Sequence, residues 1–503
     1  MNIALLLDLA ADTFGDRTAL SDATGDLSFG ALRSLARAVG PQLSAAGATT
    51  LALADTASAA VPTALFGAAW AGATYAPLNF RLPPASLTAQ LGRLDGPFAV
   101  AGTDLVGSLE LATDHATDAW LTALGATRDG DDAPGGDYEP EPDRPAVLLF
   151  TSGSSGTPKA ALLTHENLLA YVMETVEFAG ADEDEALLLA APPFHIAGVA
   201  AVLSSVYSGR RILPLAGFDP DAWLRRGRDD RATHAFVVPT MLARIVRSME
   251  ADPELRIPTL RSLSYGGARM AQPVLEAALE LFPGVDFVNA YGLTETSSTI
   301  AVLGPDEHRE ALTSPDPDVR RRLRSAGRPL PGVEVAVVGE DGRPVEEGAV
   351  GEIRVRGPQV GGRYLDSASG LDGDGWLITG DVGFVDGDGY LFVDSRADDV
   401  IIKGGENLSP SEIEDVLIRH ERVVAAAVVG IPDPEWGETV AAAVVVESTG
   451  DGPGVTVDEL TGWVRDHLGS FKAPVRVELV DELPTTATGK VLRRTVRDRL
   501  ADA

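Results

Sequence analysis

The chain has 503 residues, no cysteine and a formal net charge of −33 at pH 7. Such a length calls for two or more domains. The missing thiols exclude disulfides, thiolate metal sites and a cysteine nucleophile, and the charge excludes non-specific nucleic-acid binding. A polyanionic ligand must therefore be held by a few placed groups. Four of the 41 basic residues are lysine, at Lys159, Lys403, Lys472 and Lys490. A compact ammonium differs from a planar guanidinium, which makes each of the four a candidate for a placed charge.

In chain order, the N-terminal stretch MNIALLLDLAADTF lacks a basic region and is interrupted by Asp8 and Asp12. It does not read as a secretory signal, and a cytoplasmic location is expected. The first 125 residues alternate helical and strand patterns, predicting a mostly parallel sheet covered by helices. The uncharged run from Thr56 to Phe80 approaches membrane length, but its Ala, Gly and Pro62 content reads as a buried helix and strand of an α/β domain, not as an integral membrane span. Residues 126–145 are acidic and rich in Pro and Gly, and read as a solvated connection. Ala146–Thr151 reads as a strand, and Thr164 is placed to cap a helix reaching about Phe178. Short alternating segments between 330 and 395 predict an antiparallel β subdomain. Ser409-Pro410-Ser411-Glu412 and Thr456–Glu459 both carry the capping-box pattern of a helix start. The fold class is α/β: a large N-terminal domain of layered α/β and β subdomains over residues 1–395, then a small α+β C-terminal domain over 396–503.

Four loops carry chemistry. Thr151-Ser152-Gly153-Ser154-Ser155-Gly156-Thr157-Pro158-Lys159 is expected between a strand and a helix. Its glycines let the backbone approach a ligand, its hydroxyls offer donors and Lys159 supplies charge, a set suited to phosphate oxygens. Lysine follows the second glycine by three residues and Pro158 intervenes, so it is not a Walker A loop. Tyr291-Gly292-Leu293-Thr294-Glu295 gathers an aromatic face, a hydroxyl and a carboxylate, which fits a nucleobase, a phosphate and a hard cation, but also fits a plain turn. Thr379-Gly380-Asp381-Val382-Gly383 places an acid where it binds two ribose hydroxyls or makes an ordinary Asx-type turn. Pro484-Thr485-Thr486-Ala487-Thr488-Gly489-Lys490 is a rigid polar loop ending in the last lysine, an anion hook.

These loops in this order, with PPFHIAG, YGGARM, NAYGLTE and SRADDVIIKGGENLSPSEIE, resemble the adenylate-forming superfamily of acyl-CoA synthetases, luciferases and non-ribosomal peptide adenylation domains, from about residue 15 to Lys490. The resemblance implies an acid–thiol ligase with ATP, Mg2+ and coenzyme A, acting on a small carboxylic acid. It implies that residues 151–159 enclose the β- and γ-phosphates and that Tyr291 stacks on adenine near Asn289, Gly266, Gly267 and Ala268. Thr294 would then touch phosphate, Glu295 would hold magnesium, and Asp381 with Arg396 would bind ribose. Lys490 would bridge the substrate carboxylate and the α-phosphate. The small domain would be mobile, pivoting near Asp398 to exchange Lys490 for a loop in which Lys403 faces the adenylate and Gly405 lines a pantetheine tunnel.

The resemblance also implies an acyl pocket lined by His195, Val238, Tyr265, Gly266 and Gly267, with His195 gating the thiol. Amino-acid-activating relatives carry Asp where this chain has His195, which disfavours an amino-acid substrate. Arg269 is the one guanidinium in the pocket stretches, which disfavours malonate-type acids. Two departures stand out: Ser154-Ser155 where Thr-Thr is usual, and Ala160 where Gly is usual. Ala160 adds a methyl expected close to the phosphates. It is the one support for a rival reading, a non-adenylating ligase that only thioesterifies a supplied acyl-AMP.

Overall fold

The computed structural model describes residues 1–111, 113–126, 144–151, 158–339, 341–366, 369–446, 454–486 and 491–502. Ser152 to Thr157 and Lys490, both expected at the site, lie outside the described residues, as does most of the acidic connection 126–145.

The first sheet is built on the parallel strands Thr50–Ala54, Thr74–Pro77 and Pro97–Ala101. The run that approached membrane length is the helix Ala60–Trp70 followed by the strand Thr74–Pro77, nearly all of it buried. Among the described residues no helix is long and apolar enough to cross a membrane. Gly67 lets this helix pack against the helix Phe29–Ala46. A β-carbon there would meet the Val39 side chain at 2.5 Å, which real contacts do not tolerate. One departure from expectation bears on the site. Lys159–Thr164 is a strand, paired antiparallel with Pro145–Thr151. The residues flanking the Gly/Ser segment therefore belong to two paired strands, and the helix begins only at His165, where Thr164 accepts from the Asn167 N–H at 3.2 Å. Along Lys159–Thr164, Lys159 is exposed, while Ala160 and Ala161 are both buried although they face opposite sides of the strand.

Among the described residues the second sheet has nine strands. Its centre is parallel, with Ala186–Leu189, Arg211–Pro214, His234–Val237, Ser262–Gly266 and Asp286–Leu293. The hairpin Thr18–Asp22 and Gly25–Ser28 closes one edge, so the first 125 residues feed both sheets. In parallel sheets ligands sit beyond the carboxyl ends of the strands. Here those ends lead into the PPFH segment, Val238, Gly266-Gly267 and the Tyr291–Glu295 stretch. The strands Glu334–Val338, Gly351–Arg356, Leu377–Val385 and Leu391–Arg396 form the expected antiparallel subdomain.

The remaining sheet belongs to the small domain, with Val423–Asp433 paired to Gly437–Val446 along most of their length and Arg476–Val480 parallel beside them. Its core of Ile401, Ile413, Val428, Val444 and Leu460 is separate from the large-domain cores. Of the two capping boxes only Thr456–Glu459 forms. Ser409 makes no side-chain cap, and the Glu412 carboxylate that would close the box is taken by Lys472 at 2.6 Å. An ammonium partner outcompetes a backbone N–H for a carboxylate.

Candidate active site

Asp381 is 6% exposed, on the strand Leu377–Val385 directly opposite Arg396. Arg396 Nε lies 3.0 Å from its Oδ1, and the Tyr291 hydroxyl donates to its Oδ2 at 2.5 Å. Burial, and then the Asp381 charge, push the Tyr291 phenol well above its ordinary range, so it stays a donor. Three segments up to 105 positions apart thus meet on one carboxylate, which has roughly four lone-pair sites and retains acceptor capacity for two ribose hydroxyls. The backbone around it is held in turn. The Asp381 N–H donates to Thr379 Oγ1 at 3.0 Å, Thr379 Oγ1 donates to the Ile353 carbonyl at 2.7 Å, and Arg396 donates to the Thr379 carbonyl at 2.8 Å. Asn289 donates to the Ser325 carbonyl at 2.8 Å, fixing the segment beside the tyrosine.

Lys159 and Glu295 stand at the same end of the fold. The short strand Arg363–Tyr364 pairs with Lys159–Thr164. Its Tyr364 hydroxyl donates to Glu295 Oε1 at 2.7 Å, while Lys159 Nζ stands 5.3 Å from the centre of the Tyr364 ring. Burial, then the Glu295 charge, raise the Tyr364 phenol far above its usual value. Nothing in the pattern GGRYL singles this tyrosine out, since its partner is 69 residues away. Ala160 is 1% exposed, inside an apolar cluster with Ala52, Ala76 and Leu148. Its methyl faces the core of the hairpin, contrary to the expected approach to the phosphates.

On the acyl side, His195 precedes the helix Ile196–Ser208 and makes no capping bond. Burial, then the Arg81 charge, push its imidazole down to about 4, so it is neutral near pH 7. Phe194 packs between it and Phe80, and Arg81 stands over the Phe80 ring at 5.4 Å. Neither Phe80 nor Arg81 stood out in the sequence. Val238 follows its strand and precedes the helix Pro239–Ala251, its side chain 3.7 Å from where a Gly267 side chain would begin. Gly266 has no room for a side chain, because a β-carbon would lie 2.2 Å from the Ala290 carbonyl oxygen. Tyr265 is fully buried, and its hydroxyl pairs with His308 Nε2 at 2.9 Å, so its side chain packs in the core.

In the small domain, Lys403 is 6% exposed. Its Nζ donates to the Phe471 carbonyl at 2.7 Å and lies over the Phe471 ring. That ammonium points into its own domain, not toward Asp381 or Glu295. Gly405 has φ +85° and open space around it, in the turn between Ile401–Lys403 and Glu406–Leu408. Asp398 sits exposed in the turn Ala397–Asp399, which links the antiparallel subdomain to the small domain. Arg269 is turned to Asp415 of the small domain, 2.5 Å away.

Residues 7–365 match the AMP-binding enzyme family, and residues 412–490 match the AMP-binding enzyme C-terminal domain. The chain belongs to the AMP-binding enzyme family. This AMP-binding enzyme is 37% identical to a feruloyl-CoA synthase of Amycolatopsis over 86% of its own length and 85% of that protein. Its fold matches the amide bond synthetase McbA of Marinactinospora thermotolerans with TM-score 0.83 at 30% identity, covering 99% and 100% of the two chains. It also matches o-succinylbenzoate CoA synthetase of Bacillus subtilis in complex with its acyl-adenylate intermediate, with TM-score 0.82 at 28% identity over 98% of each chain. Within the adenylate-forming superfamily the enzyme is an AMP-forming acid–thiol ligase of the acyl-CoA synthetase kind.

Proposed function

We propose that the enzyme is a cytoplasmic acyl-CoA synthetase for a carboxylic acid whose acyl part is uncharged. The substrate carboxylate attacks the α-phosphorus of ATP, the bond to the β-phosphate oxygen breaks and pyrophosphate leaves. The CoA sulfur then attacks the acyl carbon, its proton passes to solvent and AMP departs with the electron pair. Adenylation converts a poor leaving group into a good one.

The observation that carries this reading is the meeting of Tyr291, Asp381 and Arg396 at one end and Lys159, Tyr364 and Glu295 at the other. In the proposal the first set holds ribose and adenine and the second holds phosphates. Lys490 bridges carboxylate and α-phosphate, the small domain pivots at Asp398, and Lys403 and Gly405 serve the thioester step. Magnesium fits the donor set. Among the described residues no group of three or more acids and histidines would hold a metal by itself, whereas Mg2+ is commonly held by one or two carboxylates and substrate phosphates. Glu295, beside Thr294, would be that carboxylate, and the ion would neutralise phosphate charge.

Neutral His195 and the turning of Arg269 to Asp415 support an uncharged acyl pocket. The buried methyl of Ala160 removes the support for a non-adenylating ligase. The test is a screen of aromatic, alicyclic, aliphatic and dicarboxylic acids with ATP and CoA, read by mass spectrometry. Aromatic or aliphatic monoacids should give CoA thioesters and AMP. Exclusive turnover of malonate or succinate would overturn the uncharged pocket, and thioester formation only from supplied acyl-AMP would overturn the two-step reading.

A further inference from the structure

We propose that Gln359 is a positioning residue that sets the Glu295 carboxylate. This rests on the reading of Glu295 as the magnesium ligand and adds a residue to it. Gln359 is 2% exposed, and its Nε2 donates both hydrogens to carbonyls, Thr296 at 3.0 Å and Thr299 at 2.6 Å. Two carbonyl partners fix the orientation of the amide, because only its nitrogen end can serve them. The two carbonyls bracket Ser297 and Ser298, with φ of 54° and 110°. Such backbone persists in residues other than glycine only where the surroundings over-determine it. The turn that carries Thr294 and Glu295 is therefore held from outside.

The same segment grips the acid twice more. The Gly361 N–H donates to the Glu295 carbonyl at 2.8 Å, and the Tyr364 hydroxyl donates to its carboxylate. The brace is in turn tied to the phosphate hairpin. Asn167, which closes the Thr164 cap at the end of the Lys159 strand, donates to the Pro358 carbonyl at 2.9 Å. Residues 358–364 thus join the strand bearing the phosphate lysine to the turn bearing the metal carboxylate. One amide that touches neither nucleotide nor metal holds that turn.

The experiment is calorimetric titration of ATP, without any acid substrate, in EDTA and in excess Mg2+. The quantity read is the gain in ATP affinity that magnesium brings, which requires no turnover. Gln359→Met keeps the volume and removes the donors. It should lower that gain about tenfold, as loss of a partner behind a metal ligand does, with ATP affinity in EDTA unchanged. Glu295→Gln should abolish the gain. A folded Gln359→Met protein with the wild-type gain overturns the proposal, provided Glu295→Gln has lost it. If Glu295→Gln also keeps the gain, the assignment of Glu295 to magnesium falls instead, and the positioning role falls with it. Should Gln359→Met not fold, Gln359→Asn retains a buried donor set back by one methylene and is judged by the same criterion. Equal weakening in EDTA and in magnesium would mark a merely structural residue and overturn the proposal.

Discussion

Arg269 Nη2 lies 2.5 Å from Asp415 Oδ2, so the residue that follows Gly267-Ala268 in the large domain is held by a carboxylate on the small-domain helix Pro410–Ile418. Arg324 shares the same oxygen, also at 2.5 Å. A hydrogen bond to a charged group contributes about 1.5–3 kcal/mol, and partial exposure of these groups favours the low end. Asp415→Asn should shift the balance between small-domain orientations about tenfold. The rates of pyrophosphate exchange and of thioester formation from supplied acyl-AMP should then change in opposite directions. Parallel changes would mean that the contact is not a latch.

Lys490→Ala should abolish acyl-AMP formation and leave thioester formation from supplied acyl-AMP largely intact. The proposed role is to stabilise charge that develops at the α-phosphate, and the second step has no such need. Single-turnover assays of each half-reaction decide it. Equal loss in both, with the protein folded, contradicts the assignment.

Asp398→Pro fixes φ in the exposed turn Ala397–Asp399. Adenylation should stay near normal while thioesterification falls severely, because the chain must reorient there between the two steps. The same pair of half-reaction rates tests it, and unchanged thioesterification excludes residue 398 as the pivot.

Ala160→Gly tests a corrected expectation. A methyl beside the phosphates would slow adenylation, and its removal would raise the rate. With that methyl 1% exposed inside an apolar cluster, the substitution should leave pyrophosphate exchange no faster. It should lower stability by about 1–2 kcal/mol, from lost burial and added chain freedom, measurable by urea denaturation.

The His165 ring accepts the Ile3 N–H at Nδ1, at 3.2 Å. Burial, then the N-terminal ammonium and Arg144 charges, push it down to about 4. The native state therefore keeps this ring neutral where the unfolded chain protonates it, below its ordinary value near 6.5. Its contribution is present above pH 6.5 and is lost as pH falls from about 6.5 to about 4, by up to about 3 kcal/mol. His165→Asn keeps an acceptor and should flatten part of that acid limb in denaturation measured across the window. An unchanged limb would show that His165 does not titrate there.

Part of the candidate site could be read from the sequence where its chemistry is local. A Gly/Ser segment ending in one of four lysines stands out within ten residues, whereas the acid in TGDVG reads locally as a plain turn and gains a role only from the order of the motifs. The β subdomain likewise declares itself by alternation over 330–395, and the helix starts by Thr and Ser before acidic residues. What the tertiary structure alone decided lies in partners far along the chain. Glu412 abandons its predicted cap for Lys472, 60 positions away. Lys403, expected to face the adenylate once the small domain has pivoted, is held here by the Phe471 carbonyl, and the Tyr265 hydroxyl is paired with His308. Tyr364 and Gln359 carry no local signature, because a lone phenol or amide acquires meaning only from the carboxylate or carbonyls brought against it. Ala160 shows the division most plainly. Its place after Pro158-Lys159 is a matter of sequence, but the strand pairing with Phe150 sends its methyl to the core, because successive residues of a strand face opposite sides.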